Sequence, residues 1–294
     1  MSSDSYPWDV YVSSQRPPQA KIYDWHVLAE GDSWFNLGFN PLNPKFIGGS
    51  KNIIEALDFK KQTVIANLAL SGDTIQGISD PAKNPKLLTA LAYRKWHLIL
   101  LSAGGNDLID ALTGKYLVNG KPIEMLRKSV KSSHFMDYIN TPDLEVLLNY
   151  IENYYVAFSN LRDSIEDGEN KNTMIVAHCY DYIVARNAPA NLPLNKKMGP
   201  WAYAAFMDKA YKVPENFWKL ITDYLFNRLA ERLSRLENKL PSFAVVNTLG
   251  TLHLADPNEK GNSNDWANEI HPNPGGYKKL CRDRISPFIA KYLI

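Results

Sequence analysis

Four short blocks of this chain carry groups that could take part in acyl transfer. They are Gly31-Asp32-Ser33, Ser71-Gly72-Asp73-Thr74, Gly104-Gly105-Asn106-Asp107 and His271-Pro272. A serine becomes a nucleophile when a histidine takes its proton, so Ser33 and His271 form a candidate pair. The backbone N–H groups of Ser33 and Gly72 and the amide of Asn106 are candidate donors to a carbonyl oxygen that becomes an oxyanion.

Each block also has an ordinary structural interpretation. Ser33 could cap a helix, Gly72 could occupy a turn, Asn106 could form an Asx-turn, and His271 could be a loop histidine beside a proline. Three of the blocks follow apolar runs that read as strands, and the fourth precedes a C-terminal helix. Their combination in one chain favours acyl-transfer chemistry over four unrelated structural roles.

In this order the four blocks resemble those of the SGNH hydrolases, a superfamily named for its Ser, Gly, Asn and His. The resemblance runs from residue 27 to about residue 277 and leaves out an N-terminal arm (1–25) and the segment 182–213. It implies Ser33 as nucleophile, His271 as base, and Gly72 and Asn106 as oxyanion-binding residues. It also implies a three-layer α/β/α, flavodoxin-like fold without a metal or organic cofactor.

One position departs from the family pattern. The family usually has an aspartate three residues before the histidine, and this chain has Asn268 there. An asparagine oxygen can accept a hydrogen bond from Nδ1 of His271, but it adds no negative charge beside the imidazolium. Asp265, Glu269 or a backbone carbonyl could serve in its place, so the third catalytic position stays open between them.

Five apolar runs rich in β-branched residues must position these blocks. They cover residues 26–30, 63–69, 97–102, 173–177 and 243–247, with helical patterns between them. Such runs predict an α/β fold with a parallel sheet of about five strands, covered by helices on both faces. In sheets of this kind ligands bind beyond the carboxyl ends of the strands, where Ser33, Gly72 and Asn106 would lie.

Two helices and two long connections complete the pattern. An apolar stripe from Leu144 to Ile165 predicts a helix that begins at Thr141 and ends at Gly168, and a second helix covers 217–236. Its basic residues predict a solvated face; they are Arg228, Arg232, Arg235 and Lys239. The segments 108–140 and 182–213 are longer than ordinary loops, and the second could be a lid or a helical insertion. We interpret residues 1–294 as one domain.

Composition sets further limits. The 33 Lys and Arg nearly balance the 31 Asp and Glu, which gives no electrostatic reason to expect a nucleic acid or membrane partner. Two widely spaced cysteines predict free thiols and match no metal-ligand spacing. We recognise no secretory signal and no membrane span, so the cytoplasm is the default location, although signal-independent export would leave no mark.

Three functions are compatible with these residues. The first is a carboxylic ester hydrolase acting on a small-molecule, carbohydrate or lipid-like ester. The second is an acyltransferase that uses the same serine, and the third is a binding module whose triad Asn268 has weakened. A Cys179 nucleophile paired with His178 is a minor alternative, because neighbours on a strand point to opposite faces. The sequence specifies neither the acyl chain length nor the oligomeric state.

Overall fold

The structure, a computed structural model, describes residues 3–13, 23–36, 52–165, 168–191 and 197–293. Its strands in chain order are β1 (Asp4–Pro7), β2 (Trp25–Gly31), β3 (Thr63–Asn67), β4 (Leu98–Ser102), β5 (Leu117–Val118), β6 (Lys121–Pro122), β7 (Ile175–His178), β8 (Ala190–Asn191), β9 (Lys197–Met198) and β10 (Phe243–Val246). Its helices are α1 (Trp8–Tyr11), α2 (Ser33–Asn36), α3 (Ile53–Ala56), α4 (Ile75–Ser79), α5 (Pro85–Tyr93), α6 (Gly105–Leu112), α7 (Thr141–Ser164), α8 (Ala202–Met207), α9 (Glu215–Leu236), α10 (Pro274–Leu280) and α11 (Ser286–Ile289).

The main sheet is parallel throughout. Its six strands lie in the order β1-β3-β2-β4-β7-β10, while β5-β6 and β8-β9 are short antiparallel pairs. The last five strands of that order follow the flavodoxin-like pattern 2-1-3-4-5. All residues of β2, β3, β4, β7 and β10 are buried, as strands covered by helices on both faces must be. The α/β fold predicted from the sequence is confirmed.

The connections place a crevice between β2 and β4. The chain passes from β2 to β3 on one side and then returns to β4 on the other side of β2. A reversal of this kind opens a cleft at the carboxyl edge of the sheet. Helix α2 starts with Ser33 just beyond β2, and α6 starts with Gly105 and Asn106 just beyond β4.

The sequence pattern missed one strand of this sheet. We predicted about five strands and an N-terminal arm, but Asp4–Pro7 of that arm pairs in parallel with β3. The segment reads DSYP, is only half-buried, and lies at the edge of the sheet. It lacks the apolar run that marked the other strands, and a proline is tolerated there because an edge strand leaves one side unpaired.

The two long helices lie close to their predicted positions. The α7 helix starts at Thr141 with Asn140 at its N-cap, and it packs against α4 and α9. The basic face of α9 is not simply solvated, because Arg228 and Arg232 both form ion pairs with Glu145 of α7. These partners lie more than eighty residues away along the chain, beyond the reach of a local pattern. Among the described helices, none is long and apolar enough to cross a membrane.

Candidate active site

Ser33 lies in the first turn after β2. The last residue of β2, Gly31, must be a glycine. A Cβ atom on Gly31 would approach the carbonyl oxygen of Ser102 to 2.6 Å, so only a glycine lets β2 pass this close to β4. The Ser33 side chain is 6% exposed and lines a cavity together with Asn106. The structure therefore brings the candidate nucleophile and one candidate oxyanion donor to the same crevice.

His271 reaches Ser33 from the loop that precedes α10. Its Nε2 atom lies 2.8 Å from Oγ of Ser33, a normal distance for a hydrogen bond between imidazole and hydroxyl. The two residues are 238 positions apart in sequence and both are buried. The serine–histidine pair predicted from the sequence is thus in contact.

The side-chain oxygen of Asn268 holds the other edge of the imidazole. Oδ1 accepts backbone N–H bonds from Ile270 at 3.0 Å and from His271 at 2.9 Å. Because both donors need an acceptor, the oxygen and not the nitrogen of the amide must face the loop. Nδ1 of His271 lies 3.0 Å from the same oxygen, so Nδ1 carries the proton and Nε2 is free to accept from Ser33.

Burial favours the neutral form of this histidine. His271 is 2% exposed, and burial lowers its pKa to about 4. No negative side chain is among the causes of that shift within the described residues. An aspartate at position 268 would oppose the shift, whereas the neutral Asn268 does not.

Neither of the two alternative acids supports His271. The carboxylate of Glu269 accepts backbone N–H bonds from Trp201, from Tyr203 at 2.7 Å and from Arg186 at 3.2 Å. Asp265 instead accepts from the backbone N–H of His253 at 2.7 Å and from Lys279 at 3.2 Å. Asn268 is therefore the side chain at Nδ1.

Arg186 anchors the histidine loop from inside the protein. Its guanidinium is fully buried and donates to the backbone oxygens of Asn268 at 2.8 Å, Glu259 at 2.8 Å and Gly261 at 2.6 Å. Glu269 lies close enough to interact favourably with this charge. Sequence analysis missed Arg186, because an arginine in a polar segment gives no local sign that it is buried.

A hydrogen bond ties the Asn106 side chain to the loop that carries Gly72. Nδ2 of Asn106 donates to the backbone oxygen of Asp73 at 2.9 Å, and Asp73 follows Gly72 directly. The next residue, Asp107, accepts the backbone N–H of Ile75 at 2.9 Å and so holds the same loop. Gly72 is solvent-exposed and is not among the described residues that line the Ser33 cavity.

A buried hydrogen-bond network supports the serine turn. The Asp32 carboxylate accepts from the Tyr180 hydroxyl at 2.6 Å, from the Ser102 hydroxyl at 2.8 Å and from the Trp34 backbone at 3.0 Å. Burial raises the pKa of Asp32 to about 6 even though these donors favour its charged form. His178 extends the network, with Nε2 at 2.9 Å from the Ser102 hydroxyl.

The Tyr180 ring also fixes the start of α6. A Cβ atom on Gly105 would come within 2.6 Å of the ring, so the helix that carries Asn106 must begin with glycine. Tyr180 therefore contacts both Asp32, the residue before the nucleophile Ser33, and Gly105, the residue before Asn106. The sequence identified the glycine but gave no sign of this tyrosine.

Gly105→Ala should destabilise the protein through that contact. We expect the free energy of unfolding to fall by about 1–3 kcal/mol, since the ring cannot move without breaking its bond to Asp32. Urea denaturation monitored by circular dichroism measures this change. The control is Gly261→Ala, where the described structure has no atom within 4 Å of the added Cβ. Equal stability of the two variants would contradict the account of Gly105.

The alternative nucleophile Cys179 is in the wrong environment. Its side chain is fully buried, and burial raises the pKa of the thiol to about 12. Both ring nitrogens of His178 are already engaged, by Ser102 and by the backbone N–H of Tyr180. Cys179 and Cys281 are free thiols, as the sequence indicated.

Parts of the segment 182–213 pack beside Ser33 and His271. Trp201 packs edge-to-face on the His271 ring with centroids 6.0 Å apart, and Ile183 lines the Ser33 cavity. The aromatic cluster noted in the sequence pointed to this segment, whereas Ile183 is one apolar residue among many. Residues 192–196 of the segment lie outside the described structure.

Comparisons with known proteins bear on the fold. No sequence-family model matches the chain, and a search of curated proteins finds no significant match. Among solved structures, a lipase from a goat rumen metagenome aligns with a TM-score of 0.50 at 15% identity, covering 91% of this chain and 98% of the lipase. An extracellular lipase from Streptomyces rimosus aligns with a TM-score of 0.51 at 14% identity, covering 88% and 99%. At these identities the likeness establishes the shared fold.

Proposed function

We propose that this protein is a serine ester hydrolase of the SGNH type, which cleaves carboxylic esters through an acyl-enzyme intermediate. The observation that carries the proposal is the continuous chain from Ser33 Oγ to His271 Nε2 and from His271 Nδ1 to Asn268 Oδ1, at 2.8 and 3.0 Å. These contacts join a nucleophile, a base in the correct tautomer and a group that orients the base.

In the first half-reaction Ser33 attacks the ester carbonyl while His271 takes its proton. The carbonyl oxygen becomes an oxyanion, to which the Ser33 N–H and the Asn106 amide, both at the cavity, donate. Collapse of this intermediate breaks the bond to the alcohol oxygen. His271 returns the proton to that oxygen, the alcohol leaves, and the acyl group stays on Ser33.

In the second half-reaction water replaces the alcohol. His271 takes a proton from the water, which attacks the acyl carbonyl and forms a second oxyanion at the same donors. Collapse releases the carboxylic acid and returns the proton to Ser33. Throughout, Asn268 keeps the imidazole oriented, but it does not compensate the charge of the imidazolium.

Esterase activity on p-nitrophenyl acetate tests this proposal. Wild-type protein should release p-nitrophenolate in a reaction that Ser33→Ala abolishes. An added alcohol that captures the acyl group faster than water would instead indicate an acyltransferase. A folded protein that cleaves no ester, and that does not acylate itself, would overturn the proposal.

Asn268 should set the acid limit of the activity. His271 acts as a base only when neutral, so kcat/KM should fall as pH drops through its lowered pKa, to half its plateau near pH 4. With an ordinary histidine pKa of about 6.5, activity would fall to half its plateau at a pH about 2.5 units higher. In Asn268→Asp the carboxylate stabilises the imidazolium and so raises the pKa of His271. The pH at which kcat/KM falls to half its plateau should therefore rise by at least about one unit.

The same substitution should raise kcat/KM on the pH plateau. A charge about 4 Å from the imidazolium contributes up to about 4 kcal/mol at an effective dielectric constant of 20, so we expect a gain of about tenfold or more. The two backbone donors at Oδ1 and the nearby Arg186 guanidinium would stabilise the new carboxylate. Asn258→Asp, an exposed change on the preceding loop, is the control. If the pH of half-maximal kcat/KM is unchanged in Asn268→Asp, the assignment of Asn268 as the partner of His271 Nδ1 is contradicted.

A further inference from the structure

The cavity beside Ser33 is very small. Its volume is about 20 Å³, and four apolar side chains line it together with Asp32, Ser33, Trp34, Gly105, Asn106 and Tyr180. The four apolar side chains are Ile109, Ile183, Phe226 and Ile270, all buried. The least volume that holds one water molecule is about 10–15 Å³, so the cavity is suited to a small group.

The position of the cavity fits the acyl side of an ester. The leaving alcohol takes its proton from His271, so it must depart on the histidine side of Ser33. His271 is not among the described residues lining the cavity, whereas Gly105 and Asn106, on the oxyanion side, are. A carbonyl group held between Ser33 and Asn106 would direct its alkyl substituent at the four apolar side chains.

A hydrogen bond connects the two sides of the cavity that carry Ile183 and Phe226. The hydroxyl of Tyr182, the residue before Ile183, donates to the side-chain oxygen of Asn227 of α9 at 2.7 Å. This bond joins the segment that carries Ile183 to the helix that carries Phe226.

The start of this segment is anchored as well. The buried carboxylate of Asp181 accepts four backbone N–H bonds, from Tyr182, Gly250, Thr251 and Leu252. Ile183 therefore directly follows two residues that are held by hydrogen bonds, which opposes its displacement by a longer acyl chain.

From this geometry we propose that the cavity is the acyl pocket and that it restricts the enzyme to acetyl esters. The proposal rests on the proposed ester hydrolase function and selects its substrate class. The acetyl methyl fills the available space. A longer acyl chain would press against Ile109, Ile183, Phe226 and Ile270. The proposed substrates are therefore acetylated compounds and not lipid-like esters of long-chain acids.

The acyl-length profile of the wild-type protein is the first test. We expect kcat/KM on p-nitrophenyl esters to be highest for acetate and to fall by about ten- to two-hundredfold for each methylene that does not fit. Butyrate should therefore be at least about a hundredfold poorer than acetate. A profile that peaks at hexanoate or octanoate would overturn the proposal.

Enlarging the pocket is the second test. Phe226→Ala and the milder Ile183→Ala should each raise the butyrate-to-acetate ratio of kcat/KM by at least about tenfold. The control is Phe158→Ala, which removes an equally buried ring from α7 but is not among the residues lining the cavity. Its ratio should stay at the wild-type value. If both pocket variants fold and keep that value as well, the cavity is not the acyl pocket.

These outcomes separate the two proposals. Absence of hydrolysis for every ester would defeat the proposed function itself. Hydrolysis that depends on Ser33 but favours long acyl chains would leave the function standing and defeat the acetyl restriction. Should either pocket variant fail to fold, the other variant and the wild-type profile decide the question.

Discussion

His271→Ala should lower kcat on p-nitrophenyl acetate by at least about ten-thousandfold, and Ser33→Ala should do the same. The expectation follows from the 2.8 Å contact between Nε2 and Oγ, which makes His271 the base positioned to take the serine proton. Since the two residues act as one unit, the double variant should be little worse than either single one. Steady-state kinetics on the three variants measures both effects.

Two further variants control this result. Asn268→Ala should cost far less than either change, because Asn268 orients the base without taking part in proton transfer. His253→Ala removes a histidine whose side chain is 78% exposed, and it should leave kcat unchanged. Retention of wild-type kcat in a folded His271→Ala protein would remove this histidine from the mechanism.

Asn106→Ala should lower kcat by about a hundredfold to a thousandfold with little change in KM. A neutral amide aimed at an oxyanion stabilises the transition state more than the bound ester, so its loss affects turnover more than affinity. The Asn106 side chain also holds the backbone oxygen of Asp73 at 2.9 Å. Loss of this bond also loosens the loop, which is a second contribution to the measured effect.

Thr74→Ala separates the two contributions. Thr74 caps α4 by accepting the backbone N–H of Gly77, so its removal loosens the same loop but leaves the Asn106 amide in place. We expect kcat of Thr74→Ala to stay within a few fold of wild type. A loss as large as that of Asn106→Ala would assign the effect to the loop and not to the amide.

Much of the fold could be predicted because buried parallel strands leave a strong local signal. Each of the strands β2, β3, β4, β7 and β10 is an apolar run, and the order of elements then limits the topology. The β1 strand left no such signal. Its four residues are half-buried, and it depends on pairing with β3 far along the chain.

The site could be predicted only where its residues follow strand ends. Ser33 and Asn106 do so, and the position of His271 followed from the family resemblance. The supporting residues Tyr180, Arg186 and Glu269 act through bonds across 66 to 148 positions of sequence, which no local pattern encodes. The choice of Asn268 over Asp265 and Glu269 likewise needed three-dimensional contacts, because all three lie within six residues of His271.

Covalent labelling of Ser33 tests the central claim most directly. A fluorophosphonate probe reacts with a serine that a neighbouring base has activated. After incubation with the wild-type protein and proteolysis, mass spectrometry should find the adduct on the peptide that contains Ser33, and His271→Ala should abolish it. An adduct on Cys179 or on another serine, or a folded protein that stays unlabelled, would contradict the account.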